Sequence, residues 1–439
     1  MYSKSECDRQ KDKKKDFSQS DARGETDFFL SLQIAKKGFM DIHIYSEIGK
    51  LQGVILHRPG CELERMVPGN IRDALYSDIL SMEIARQDYA VFEGVLQKQT
   101  KVFYVRDLLE QMLADADARK QLTEKVCRIH QVSLQDKLDA LTVKELAGVL
   151  IEGWEEHDSI GRHYPIPPLY NLYFTRDASA SLYDEVIINR MRHSVRNREA
   201  LLMEEIFRRI FHAETFRPDS GHNIEGGDLL VAREDVLLIG QGDRTSRAAI
   251  EDLTRRYLSK NKRQHIVVQE LPVHPESFIH LDMVFTFLDR DACACFLPLI
   301  AKESRYRTTI ITIDGGQVSY REEPTLLQAL KKLRFDLEPI SCGAPDDEWN
   351  QQREQWHSGA NFVALEPGKV IGYARNTRTI DQLNRHGFDV VPAADVASGK
   401  VTLDSHKRCV VTLRSDELPR GGGGGRCMTM PVNRENVIW

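Results

Sequence analysis

Three stretches of the chain follow one grammar, and that recurrence limits the available folds more than any single motif does. ASASLYDEVIINRMRHSVRNREALL from Ala178, GDLLVAREDVLLIGQGDRTSRAAIEDL from Gly227 and NFVALEPGKVIGYARNTRTIDQL from Asn361 each read as strand, tight polar turn, strand, Arg or Asn cluster, amphipathic helix. The turns carry Asp-Glu, Glu-Asp and Pro-Gly where a hairpin must reverse, and β-branched residues dominate the strand after each turn. A third strand closes each unit, IVVQEL from Ile266 after the second helix and FDVVPA from Phe388 after the third. GKLQGVILHRPG from Gly49, with a helix over residues 81 to 99 and KVFYV at 101 to 105, fits as another unit, and HLDMVFTFLDRDACACFLP from His280 as a fifth. Modules that cannot bury their apolar faces alone pack around a shared centre. The expected fold is therefore α/β: a five-module, pseudo-symmetric propeller of ββαβ units. No GxGxxG loop follows the first strand, which argues against a doubly wound dinucleotide-binding sheet.

Residues 106–162 interrupt the grammar. DLLEQMLADADARKQLTEKVCRI and LTVKELAGVLIEGWEE carry apolar residues at three and four spacing with no strand pattern, so a helical insertion is expected there. The catalytic body is then 40–105 and 163–439. Residues 1–39 form an extension: charges alternate through KDKKKD with almost no apolar content, a composition that cannot offset its own ordering entropy. FFLSLQIAKKGF within it reads as at most a weakly helical arm, without the small-residue cleavage pattern of a secretory signal. We expect this extension to contribute nothing to catalysis.

Composition narrows the partners. The net charge of -6 is spread along the chain with no basic stripe, which makes nucleic acid a poor partner. No run reaches the roughly 18 apolar residues of a membrane span. The eight cysteines show no CxxC pairing, which suggests reduced thiols and a cytoplasmic location.

Cys427 follows five glycines and Arg426. Glycines beside a reactive side chain let backbone approach a ligand, and a thiol beside an arginine ionises more readily; a plain linker would need a longer folded segment after it. His280 and Asp282 stand two apart in a strand-like run, which places base and carboxylate on one face. IEGGD sets Glu225 and Asp228 around two glycines, and NLYFTRD sets Asp177 at the start of a hairpin, after Asn171 and Phe174. Singly, each is compatible with ordinary turn or core chemistry. Together, Asp177, Glu225, His280 and Cys427 each sit near the opening strand of a different module, so a closed ring brings them to one centre. Carboxylates, a histidine and a thiol there suit a planar guanidinium. No HExxH or similar spacing supplies a metal site.

At these residues the chain resembles the bacterial arginine deiminases of the guanidino-group-modifying superfamily. The likeness runs from about residue 42 to the C-terminus through IYSEIGKLQGVILHRPG, NLYFTRD, IEGGD, HLDMVFT, LEPGKVIGYARN and RGGGGGRCM, in that order. It implies a five-module α/β propeller with a helical insertion, acting on L-arginine without metal or organic cofactor. By the same resemblance Cys427 is the nucleophile on the guanidinium carbon and His280 the general acid and base. Asp177 and Asp282 grip the guanidinium nitrogens, and Glu225 supports the histidine. Asn171, Phe174, Arg196 and Arg244 hold the substrate's backbone and stem, the two arginines facing its carboxylate. The implied product is citrulline, formed through an amidino-cysteine. Some members carry a further arginine inside the glycine loop, where this chain has only glycine between Arg420 and Arg426. The alternatives are an arginine dihydrolase or methylarginine hydrolase with the same centre, or a catalytically silent arginine-binding protein. The sequence leaves room for a homo-oligomer without setting its size.

Overall fold

The computed structural model describes residues 39–159 and 161–439, so the expectations for the N-terminal extension fall almost entirely outside it. Asp41–Trp439 forms one unit of mixed α/β structure, the class the repeats predict. Its strands gather into small separate sheets. In one, Ser179–Leu182 pairs antiparallel with Glu185–Ile188, and after helix Asn197–Arg209 the strand Glu214–Phe216 returns parallel to the second. Leu229–Arg233, Val236–Gln241, helix Arg247–Ser259 and Gln264–Glu270 repeat that order.

The other sheets borrow strands from elsewhere in the chain. Leu51–Leu56 takes Lys101–Tyr104 as its parallel neighbour after helix Met82–Gln99, but its antiparallel partner is the C-terminal strand Met430–Arg434. The two ends of the unit thus share one sheet. In the unit that opens near Asn361, FDVVPA does not close the sheet as expected. Cys409–Leu413 lies between Lys369–Tyr373 and Asp389–Pro392, pairing parallel with both. Burial explains the exchange: CVVTL is apolar and mostly buried, whereas DVVP is exposed at three of four positions and occupies the edge. In the fifth unit Phe285–Asp289 and Ala292–Cys295 pair antiparallel and Glu338–Ser341 joins parallel. Between them a hairpin, Thr308–Asp314 with Gln317–Glu323, leaves to extend the neighbouring sheet beyond Gln264–Glu270.

HLDMV is also not strand: Leu281–Val284 is a single helical turn that runs into the strand Phe285–Asp289. The segment read as a helical insertion contains Val105–Leu113, Ala116–His130, Gln135–Asp139 and Val143–Glu152. It ends in an unexpected hairpin, Trp154–Asp158 with Gly161–Ile166. Local signals set these helices. Thr142 accepts from the Glu145 backbone while the Glu145 side chain accepts from the Thr142 N–H, a reciprocal cap on two amides that the helix start leaves unpaired. Met82, Ala85, Tyr89, Phe92 and Leu96 recur at three and four spacing and form the buried face of helix Met82–Gln99. That face packs with strands 51–56, 363–373 and 409–413 in one core. Cys127, Cys293, Cys295, Cys342, Cys409 and Cys427 are free thiols.

Candidate active site

Each sheet contributes its site residue from the same place, just ahead of its leading strand. Asp177 precedes Ser179–Leu182, and Glu225 precedes the turn into Leu229–Arg233. His280 caps the turn before Phe285–Asp289, Asn361 precedes Val363–Glu366, and Cys427 precedes Met430–Arg434. Asp177, His280 and Cys427 line one cavity of about 1120 Å³, together with Asn171, Phe174, Arg196 and Arg244. Asp282 and Glu225 stand fully buried behind that wall.

Close backbone approach explains the glycines. A Cβ on Gly423 would lie 2.4 Å from Phe174 Cε1 and 3.0 Å from Cys427 Cβ, so the loop can reach the thiol only without a side chain there. In IEGGD, a Cβ on Gly227 would come within 2.5 Å of His280 Nδ1.

His280 donates from Nε2 to Glu225 Oε2 at 2.9 Å, and its Nδ1 lies 3.8 Å from Asp177 Oδ1. Burial opposes charge on the ring, but Asp177, the Glu225 hydrogen bond and Asp228 outweigh it, raising its pKa to about 9. His280 is an imidazolium at neutral pH. Glu225 is buried too, yet His280 and Arg244 hold its carboxyl far below the usual range. Its other oxygen accepts from the Arg192 N–H at 3.0 Å. Asp228, behind the histidine, accepts from the Leu281 N–H at 2.8 Å and the Thr245 hydroxyl at 2.5 Å. Burial pushes its pKa up to about 7.

Cys427 Sγ sits 3.8 Å from Asp282 Oδ2. Burial, then Asp282 and Asp177, push its thiol well above the ordinary value, and Arg426 pulls only weakly against them. The expectation that the neighbouring arginine eases ionisation of the thiol is not met, and the partners of Arg426 explain why. That guanidinium bonds Asp282 Oδ2 at 2.7 Å, both oxygens of Glu47 at 3.0 and 3.1 Å, and the Leu229 carbonyl at 2.8 Å. Its charge is spent on carboxylates.

Asp177 and Asp282 each use one oxygen, Asp177 Oδ2 accepting from Arg196 Nη1 at 2.7 Å and Asp282 Oδ2 from Arg426. The second oxygens, Asp177 Oδ1 and Asp282 Oδ1, are buried without a hydrogen-bond partner among the described residues. An unmet buried acceptor costs about 1–3 kcal/mol, so two of them beside a thiol mark a place built for a donor.

Of the residues expected at the substrate's backbone end, Asn171 and Phe174 line the cavity, but the Asn171 amide donates to the Ala74 carbonyl at 2.8 Å, bracing the wall. Arg196 also lines the cavity, where it pairs with carboxylates of the protein. Its Nε and Nη2 bond Glu199 at 3.0 and 2.8 Å and its Nη1 bonds Asp177, so it fixes a carboxylate of the protein. Arg244 gives Nη1 to Glu225 at 3.2 Å, while its buried Nε has no hydrogen bond.

The motifs did not single out Asn361, Glu47 or Glu199. Asn361 Oδ1 accepts from the backbone N–H groups of Arg426 and Cys427 at 3.0 and 3.3 Å, and its amide donates to the Asp282 carbonyl at 3.0 Å, locking nucleophile to carboxylate. Its signal was positional, since it opens a module as the other site residues do. Away from the cavity, Asp219, His222 and Asp252 hold ligand atoms within 4.8 Å of one another. His222 and Asp252 already bond each other at 2.8 Å, and Arg255 pairs with both carboxylates.

A family model for arginine deiminase matches residues 128–434. The arginine deiminase of Limosilactobacillus fermentum is 32% identical over 428 residues, covering 90% of this chain and 99% of that protein. That of Levilactobacillus brevis is 34% identical over 439 residues, with 90% and 99% covered. Among solved structures, the substrate-bound N-terminal domain of ArgZ, an arginine dihydrolase from cyanobacteria, shares the fold with a TM-score of 0.52 at 14% identity, covering 87% of this chain and 98% of that one. No helix among the described residues is long and apolar enough to cross a membrane. On the family match and the extent of these relatives, the chain belongs to the arginine deiminase family.

Proposed function

We propose that this chain hydrolyses free L-arginine to L-citrulline and ammonia through a covalent intermediate on Cys427. The observation that carries the proposal is the pair of buried oxygens without a hydrogen bond: Asp177 Oδ1, 3.8 Å from His280 Nδ1, and Asp282 Oδ1, on the carboxylate whose other oxygen lies 3.8 Å from the thiol. A guanidinium is planar, always charged and rich in N–H donors, so it supplies both the missing hydrogen bonds and the missing charge.

The charge states suggest the order of events. Bound between Asp177 and Asp282, the substrate cation offsets the carboxylates that hold the Cys427 thiol protonated, and the thiol ionises when arginine arrives, its proton leaving to solvent. The thiolate adds to the guanidinium carbon. His280, an imidazolium in the free site, gives its Nδ1 proton to the departing amine, and the C–N bond breaks to release ammonia. The neutral ring then takes a proton from water as its oxygen attacks the amidino carbon. The C–S bond breaks, and citrulline leaves with the thiol restored. Glu225 keeps His280 charged, Arg196 anchors Asp177, Asn361 fixes the nucleophile's backbone, and Asn171, Phe174 and Arg244 contact the stem and backbone end of the substrate.

The body around the cavity is proposed to be a five-module propeller, 40–105 with 163–439, carrying the insertion 106–162; residues 1–39 take no part in catalysis. A cytoplasmic location and homo-oligomeric assembly are proposed on the family's pattern. The test is a product assay on purified protein with arginine. One citrulline and one ammonia per arginine support the proposal. Ornithine with two ammonia would replace it with dihydrolysis, and arginine binding without product would make the chain a silent binder.

A further inference from the structure

Asp228 closes the IEGGD motif, is fully buried and takes no part in the steps proposed above. Both of its oxygens accept hydrogen bonds. Oδ1 takes the N–H of Leu281, the residue after His280, at 2.8 Å, and Oδ2 takes the Thr245 hydroxyl at 2.5 Å. The Thr245 oxygen in turn accepts the Glu225 N–H at 3.3 Å. One carboxylate and one hydroxyl thus join the backbones on which Glu225 and His280 are carried.

The surroundings leave this bridge little freedom. A Cβ on Gly240 would lie 2.1 Å from Asp228 Oδ1, so the strand Val236–Gln241 can pass the carboxylate only with a glycine there. Thr245 is fully buried in the loop 242–246, where its carbonyl accepts the Gly242 N–H at 3.1 Å. Asn223 holds that loop too, its amide donating to the Asp243 and Arg244 carbonyls at 3.0 and 2.9 Å. A histidine that must keep a 2.9 Å bond to Glu225 while its other nitrogen moves a proton needs the two backbones fixed relative to each other.

We infer that Asp228 and Thr245 are positioning residues for the acid step, setting the separation of Glu225 and His280 by tying Leu281 to Glu225 through a carboxylate and a hydroxyl. The inference rests on the proposed role of His280 as the acid. It involves neither the thiol nor the oxygens that receive the guanidinium. Asp177, Glu225 and Asp228 are the carboxylates that raise His280, and Arg244 shares Glu225 Oε2 with it. Thr245→Val removes none of these charges, so a shift of the histidine in that variant reports a disturbed bridge.

The experiment compares wild type, Thr245→Val and Thr245→Ser in kcat and KM for L-arginine, in the titration of His280 followed by imidazole NMR on the free protein, and in thermal melting. Thr245→Val is expected to lower kcat at least about tenfold, the scale on which a small misplacement of a reacting group costs rate. KM should stay within about threefold, because the groups that bind the guanidinium are untouched. The His280 midpoint should fall below its wild-type position, and Thr245→Ser should recover most of both losses. A Thr245→Val protein with kcat within about twofold of wild type overturns the inference. So does a loss of kcat that tracks the melting temperature while the His280 midpoint stays put, or one that serine does not rescue. Asp228→Asn, which sets an N–H donor against either the Leu281 N–H or the Thr245 hydroxyl, should show the same split between kcat and KM, and wild-type kcat there overturns the inference equally. The NMR titration needs no turnover: a wild type that forms no citrulline refutes the parent proposal, whereas an unmoved histidine in Thr245→Val refutes this one.

Discussion

Replacing Glu225 with glutamine isolates one of the charges that, after Asp177, keep His280 protonated. The Glu225 carboxylate lies 2.9 Å from Nε2, a separation at which unit charges interact by about 6 kcal/mol at an effective dielectric of about 20. Most of that offsets burial; what survives as a pKa shift from one adjacent carboxylate is about 1 to 3 units, or roughly 1.4 to 4 kcal/mol. Glutamine keeps a hydrogen-bond acceptor but not the charge, and it leaves Arg244, which now bonds Glu225 at 3.2 Å, with only Asp243 at 3.7 Å as a counter-charge. Both changes lower the histidine from its present value of about 9. His280 must be protonated to give its proton to the leaving amine, so activity falls as pH rises through that pKa. The wild-type profile of kcat/KM for citrulline formation is expected to turn down near pH 9. The Glu225→Gln profile should turn down between about pH 6 and pH 8. A thermal melt on both proteins controls for folding. If the descending limb stays near 9 in the variant, Glu225 does not set the charge of His280 and the assigned acid is wrong.

Three further outcomes are expected. Cys427→Ala should retain the wild-type melting temperature and form no citrulline, while wild type quenched during turnover should carry an amidino mass increment on Cys427; turnover by the alanine variant would end the covalent mechanism. Asn361→Ala strips partners from the backbone N–H groups of residues 426 and 427 and from the Asp282 carbonyl, for a stability loss on the order of 3 kcal/mol and a lower kcat; a variant matching wild type in both denaturant midpoint and kcat would show that the nucleophile needs no such brace. Because the folded pKa of His280 is raised, its protonation adds stability that is full below the unfolded value of about 6.5 and is lost as pH rises to about 9. The unfolding free-energy gap between wild type and His280→Gln should therefore shrink by roughly 3 kcal/mol across that window, and a gap independent of pH in denaturant titrations would contradict it.

Periodicity and turn chemistry made the local units legible. LYDEV, AREDV and LEPGKV each lie between strands that do form hairpins, turning at Tyr183–Asp184, Glu234–Asp235 and Pro367–Gly368. Partner exchange across long stretches of sequence was not legible. FDVVPA and CVVTL have similar apolar content, and their relative burial in the finished sheet decides which is central. The displaced hairpin 308–323 obeys hairpin rules locally but joins a sheet chosen by tertiary packing. In the site, residues inside compact motifs were found and their partners were not. Nothing in the sequence marks Glu47 or Glu199 as buried, although each proves to pair with a buried arginine. Asn361 was accessible by analogy, standing ahead of its strand as Asp177, Glu225, His280 and Cys427 stand ahead of theirs.

Arg426 shows why adjacency in sequence misleads about electrostatics. A cation one residue from a thiol should lower its pKa. Instead, Asp282 and Glu47 absorb that charge, so the carboxylates that raise the thiol are themselves held in place by the residue expected to lower it. The arrangement couples ionisation to occupancy. Asp282 keeps one oxygen on Arg426 and one unpartnered, so an arriving guanidinium adds positive charge beside the sulfur without displacing the cation that orients the carboxylate. A buried thiolate next to two carboxylates would be costly without that added charge. The thiol is therefore held protonated in the free site, and in the proposed mechanism it ionises when a guanidinium meets both oxygens.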